Sequence, residues 1–154
     1  MKSLARGQLL FVYGTLRRGS THPVAERLAA NAEYAGEARV QGELYWATEE
    51  YPGLAATRDE ESYTKGDLYL LPDPGLLDVL DAYEGSAYER RRMPVESFSM
   101  GPAAAWVYVY LPSVTPERRI GHGDFLAAWT ERYGEAPKAL SAAASGAVPE
   151  IDHS

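Results

Sequence analysis

The sequence predicts an α+β domain: a small mixed, mainly antiparallel β-barrel with a few short flanking helices. Three observations lead there. From Ala32 to Leu71 the chain breaks into short β-rich segments punctuated by Gly or Pro, such as EARVQGELYW, PGLAAT and TKGDLYLL. That is the texture of successive antiparallel strands. In AWVYVYL, Trp106, Tyr108 and Tyr110 fall on one face and Val107, Val109 and Leu111 on the other. Both faces are apolar or aromatic, as in a strand covered on both sides within a small barrel with outside helices. The helical patterns are few, short and separated by these strands.

The elements follow in order. Gln8 to Tyr13 (QLLFVY) is an apolar run stopped by Gly14, a buried strand. The loop GTLRRGST follows. Val24, Ala25, Leu28 and Ala29 then recur at helical spacing, and Pro23 suits the first turn of a short helix. After the β-rich stretch, Asp73 is an N-cap residue type, Pro74 suits the first helical position and Gly85 is a helix stop, which predicts a helix over 74–84. Arg90 to Phe98 and Ala103 to Leu111 read as two strands around Met100-Gly101-Pro102. GDFLAAWTERYG reads as a last helix with Asp124 near its start. From Glu135 the chain is rich in Ala, Ser, Gly and Pro. A single domain is therefore expected over 1–134, with a flexible tail over 135–154.

Composition excludes several classes of function. The 154 residues carry a net charge of −7, which repels phosphate backbones, so no nucleic-acid partner is expected. There is no cysteine, which removes disulfides, thiolate catalysis and Cys-ligated zinc. Eleven tyrosines against three Phe and three Trp point to buried or cleft-lining hydroxyls. The apolar run after Lys2 and Arg6 stops at Gly14, short of a secretory core, and no stretch approaches the roughly 20 apolar residues of a membrane span. A cytoplasmic protein with no membrane partner is expected. Oligomeric state is not legible.

The familiar catalytic motifs are absent. The loop from Gly14 to Thr21 spaces its glycines like a phosphate-binding loop, but Ser20 stands where that motif needs Lys. No G-x-G-x-x-G and no G-x-S-x-G occur. His22, His122 and His153 lie in no ligand spacing and read as surface histidines, so no metal is expected. Arg90-Arg91-Arg92 reads as a strand with alternate residues solvated. Alternation also puts Arg90 and Arg92 on one face, where a cation could meet an anionic substrate.

Glu84 is more informative. On a wheel at 100° per residue, Leu76, Leu77, Val79, Leu80 and Tyr83 span one apolar arc, and Glu84 falls inside it. It is also the last helical residue, where the macrodipole disfavours a negative charge. If the helix holds, both effects raise the carboxyl pKa toward the range where it can accept and return protons. If the last turn frays, Glu84 points to water. The wheel alone leaves both placements open.

An ordered set of segments then resembles a known family. Tyr13-Gly14-Thr15-Leu16 follows the first strand. Tyr51-Pro52-Gly53-Leu54 and Gly66-Asp67-Leu68-Tyr69 come next, then Leu80-Asp81-Ala82-Tyr83-Glu84-Gly85 with Tyr88 and Arg90, then Trp106-Val107-Tyr108 and Gly123-Asp124-Phe125. Over about residues 8 to 130 this resembles the gamma-glutamylcyclotransferase-like family. The resemblance implies a small barrel with a cavity, a small-molecule gamma-glutamyl substrate cradled by Tyr13, Gly14, Thr15 and Leu16, and Glu84 as catalytic acid/base, with no cofactor. One departure is Thr15, where the family commonly has Ser; the hydroxyl and the backbone amide are kept. The implied reaction is attack of the substrate's own α-amine on its γ-carbonyl, releasing 5-oxoproline. Two alternatives stay open: a non-catalytic small-molecule binding module on the same fold, and a gamma-glutamylamine cyclotransferase acting on a larger amine conjugate. Tyr88 and Tyr108 either line the cavity or serve packing, and Arg90 is a candidate for anion charge.

Overall fold

The computed structural model describes residues 8–20 and 22–134. The expected tail and His153 lie outside the described residues. Strand β1 (Gln8–Val12) pairs antiparallel with β5 (Tyr63–Leu71), which pairs with β2 (Glu33–Gln41), then β6 (Tyr88–Ser97), then β7 (Gly101–Tyr110). The barrel closes where β7 meets β1 in parallel, with Leu10 opposite Trp106 and Phe11 opposite Val107. The other pairings in the barrel are antiparallel, so the architecture is the mixed, mainly antiparallel one expected. A second sheet has the order β4 (Pro52–Ala55), β3 (Glu43–Trp46), β8 (Arg119–Ile120). Strand β8 is two residues long, too short to carry a hydrophobic period, and the sequence gives no sign of it.

Strand alternation divides the apolar residues into two cores. Phe11 and Tyr13 of the β1 segment join Leu68, Val107 and the helix α3 (Phe125–Tyr133) residues Phe125 and Trp129. Leu10 and Val12 face the other way, onto Leu28 of α1 (Pro23–Asn31) and Leu77 and Leu80 of α2 (Gly75–Glu84). The same split separates Val107 from Tyr108 on β7. This is why that strand is apolar on both faces. Fully burying one such Leu contributes roughly 1.5–3 kcal/mol. Leu80, 1% exposed, is therefore the peg that seats α2 against the barrel.

One helix start and one histidine differ from expectation. Helix α2 begins at Gly75, with Pro74 rather than Asp73 at the cap position. The Asp73 carboxylate still accepts the Gly75 amide at 2.9 Å, so it satisfies an orphan donor from one residue further out. His22 is no surface histidine: it is fully buried, and its Nδ1 accepts the Val24 N–H at 3.1 Å as the cap of α1. A polar residue directly before a first-turn proline was the signal for this. Gly85 ends α2 as expected, with φ 83° and its amide on the Asp81 carbonyl. Asp124 caps α3, accepting the amides of Leu126 and Ala127. Among the described residues no helix is long and apolar enough to cross a membrane.

Candidate active site

The turn after β1 is held from below by one buried cation. Arg17 is 4% exposed and pairs through Nε with Asp67 of β5 at 3.1 Å and through Nη1 with Asp124 at 3.1 Å. The Arg18 amide adds a bond to Asp67 at 2.9 Å. A buried guanidinium is tolerable only with such partners, and it fixes their relative positions in return. The turn is thereby tied to the barrel and to the start of α3. Gly14 is required by close approach: a Cβ there would stand 2.6 Å from Cγ of Pro52.

Above this clamp lies a partly open recess with an empty volume of about 390 Å³, its mouth included. Tyr13, Gly14, Thr15 and Leu16 form one wall. Glu84 and Tyr83 at the end of α2 form another, and Tyr51, Pro52, Tyr88 and Tyr108 complete it. All five residues assigned from the sequence thus meet in one place, although 68 positions separate Thr15 from Tyr83. The amides of Gly14, Thr15 and Leu16 donate to no described residue, which leaves them for oxygen atoms in the recess.

The tyrosines are fastened rather than loose. Tyr13 donates to the Tyr108 carbonyl at 2.7 Å and accepts the Leu54 amide at 3.1 Å, joining β1, β7 and β4. Tyr88 donates to the Pro52 carbonyl at 2.6 Å. Tyr108 donates to Asp81 at 2.6 Å. Burial pushes the Tyr13, Tyr83, Tyr88 and Tyr108 hydroxyls well above their ordinary pKa, so all four stay protonated. The surplus of Tyr in the sequence finds its use here.

Glu84 is partly covered as a residue, and its carboxyl is densely surrounded by protein. The last turn of α2 does not fray. The Glu84 carboxyl makes no hydrogen bond to another described residue. Burial, helped by the nearby negative charge of Asp81, raises its pKa from 4.5 to about 8. Asp81 itself goes the other way. Its partial burial is outweighed by the hydrogen bonds from Arg90 and Tyr108, which hold it below its usual range. Arg90 grips Asp81 with two bonds, at 2.9 and 3.1 Å, and lies over the Trp106 ring. It does not line the recess. The cation suggested by the arginine run is already paired, because alternation on β6 brings it to the side of α2. Among the described residues no group of His, Asp and Glu is placed to hold a metal ion.

Comparison with known proteins agrees with this architecture. The family model for gamma-glutamyl cyclotransferase, AIG2-like proteins matches residues 10–127. The chain belongs to that family. No curated protein sequence matches it. Among solved structures, it is similar to YkqA from Bacillus subtilis (25% identity, TM-score 0.67), covering 84% of this chain but 43% of YkqA. The chain therefore spans less than half the length of that protein. It is also similar to the uncharacterized protein PH0828 from Pyrococcus horikoshii, at 25% identity and a TM-score of 0.62, over 83% of this chain and 98% of the other. An aig2-like protein from Mus musculus shares the fold, at 24% identity and a TM-score of 0.64, over 78% and 88% of the two chains.

Proposed function

We propose that this protein releases 5-oxoproline from a gamma-glutamyl amide, with Glu84 as general acid/base and the Tyr13 to Leu16 turn as the substrate cradle. The observation that carries the reading is a carboxyl group without a hydrogen-bonding partner among the described residues, lining the same partly open recess as three backbone amides that donate to no described residue. Membership of the family supports it.

The chemistry follows from that arrangement. The Glu84 carboxylate takes a proton from the substrate α-ammonium. The freed amine attacks the γ-carbonyl carbon and closes a five-membered ring. As the bond to the leaving nitrogen breaks, Glu84 returns its proton to that nitrogen. The second proton lost by the ring nitrogen also ends on the released amine, so the charge balances. The amides of Gly14, Thr15 and Leu16 meet the substrate oxygens, and the rigid walls hold the glutamyl chain folded on itself, an entropy gain worth several kcal/mol.

The test is a panel of gamma-glutamyl amino acids and gamma-glutamyl amines offered to wild type and Glu84→Gln. Wild type is expected to release 5-oxoproline from at least one member, and the variant from none. Ligand binding by both proteins with turnover by neither would assign the recess to a binding module instead.

A further inference from the structure

His22 has no exposed surface and no part in the chemistry above. Both of its ring nitrogens are nevertheless engaged. Nδ1 accepts the Val24 N–H at 3.1 Å, and Nε2 lies 3.2 Å from the Tyr83 hydroxyl. The two rings meet edge to face, 5.1 Å between centroids. The Tyr83 hydroxyl in turn lies 3.0 Å from Thr15 Oγ1.

Counting protons gives this line a direction. An amide N–H can only donate, so Nδ1 is bare and the ring carries its hydrogen on Nε2. Nε2–H therefore donates to the Tyr83 oxygen. Tyr83, kept protonated by burial, passes its own hydrogen to Thr15 Oγ1. The Thr15 hydroxyl hydrogen must then turn away from Tyr83. Thr15 has no other side-chain hydrogen bond among the described residues, and it lines the recess.

We propose that His22 is a positioning residue: anchored at the start of α1, it fixes through Tyr83 the direction of the Thr15 hydroxyl, which donates a hydrogen bond to the substrate γ-carbonyl oxygen. This rests on the function proposed above. A donor already aimed at the oxygen where charge develops need not reorganise during the reaction, which is where such a bond gains its strength.

Three variants separate this role from packing. His22→Asn keeps an N-cap acceptor but is too short to reach Tyr83. His22→Gln reaches Tyr83 with an amide N–H but caps poorly. Tyr83→Phe keeps the ring and removes both bonds. With the best substrate of the panel, His22→Asn and Tyr83→Phe are expected to lower kcat roughly tenfold with KM little changed, a fraction of the loss from deleting an oxyanion donor outright. His22→Gln is expected to keep most of kcat while lowering the melting temperature. His22→Asn added to Tyr83→Phe should cost no further kcat. A kcat that simply follows stability across the three, or an unchanged kcat in Tyr83→Phe, overturns the proposal, and the latter decides it even if the His22 variants fail to fold. Nitrogen-15 spectra of the histidines need no substrate: a protonated Nδ1 at pH 7 sinks the proton line whatever the enzyme does. The expected tautomer in a wild type that turns over no panel compound overturns the catalytic reading instead, and the aimed donor with it.

Discussion

Asp81 and Glu84 stand one turn apart on the same helix, in opposite settings. Asp81 is 40% exposed yet gripped by Arg90 and Tyr108. Glu84 is partly covered, and its carboxyl hydrogen-bonds to no described residue. Partners hold the first as an anion; burial, with the charge of the first, holds the second neutral up to about pH 8. The fastened carboxylate ties α2 to β6 and β7. The unfastened one is free to gain and lose a proton, and divergent pKa values in neighbouring carboxyls are how acid/base roles are divided. The proposed site rests on burial without a partner beside open donors, and not on burial alone.

The sharpest way to break this comparison is to neutralise each carboxylate in turn. Glu84→Gln should lower turnover by roughly 10²–10⁴-fold, the usual weight of a general acid/base, while Asp81→Asn keeps measurable activity. Equal losses in a 5-oxoproline release assay would erase the distinction. Next in size is the seat both share. Leu80→Ala should cost about 2–5 kcal/mol in denaturant unfolding, because it empties a packed position under α2; a loss below 1 kcal/mol would mean the helix is not seated as described.

The pH dependence of stability separates the pair by sign. Glu84 binds its proton more tightly folded, to about pH 8, than unfolded, near 4.5. Its contribution is complete below pH 4.5 and is lost as pH rises to about 8. Glu84→Gln should flatten that slope and melt higher than wild type at pH 8.5. Asp81 works in reverse: its contribution is present at neutral pH and lost in acid. A melting series from pH 3 to 9 on wild type and both variants reads the two slopes. The smallest effect is Asp81→Asn at pH 7, about 1 kcal/mol for a screened, half-exposed pair. It should also move the acidic limb of the kcat/KM profile to lower pH, since the charge that helps push Glu84 upward is gone. A profile that stays put would remove Asp81 from the account of Glu84.

Much of this was legible in order along the chain. The strands and helices followed from apolar periods and from Gly, Pro and Asp at their ends, because these are local steric and hydrogen-bonding preferences. Glu84 was visible as a carboxylate inside an apolar arc. The buried, capping place of His22 was missed, since its spacing matched no ligand motif and its ring partner Tyr83 lies 61 positions away. Arg17 was equally silent: its partners Asp67 and Asp124 lie on other elements.

The sequence by itself determined the elements, their order and the residue types available for chemistry, because these rest on interactions between near neighbours in the chain. Only the tertiary structure decided which carboxylate found a cation and which was left alone in a hollow. That choice depends on the closing of the barrel, which brings distant side chains together and sets how much water each one keeps.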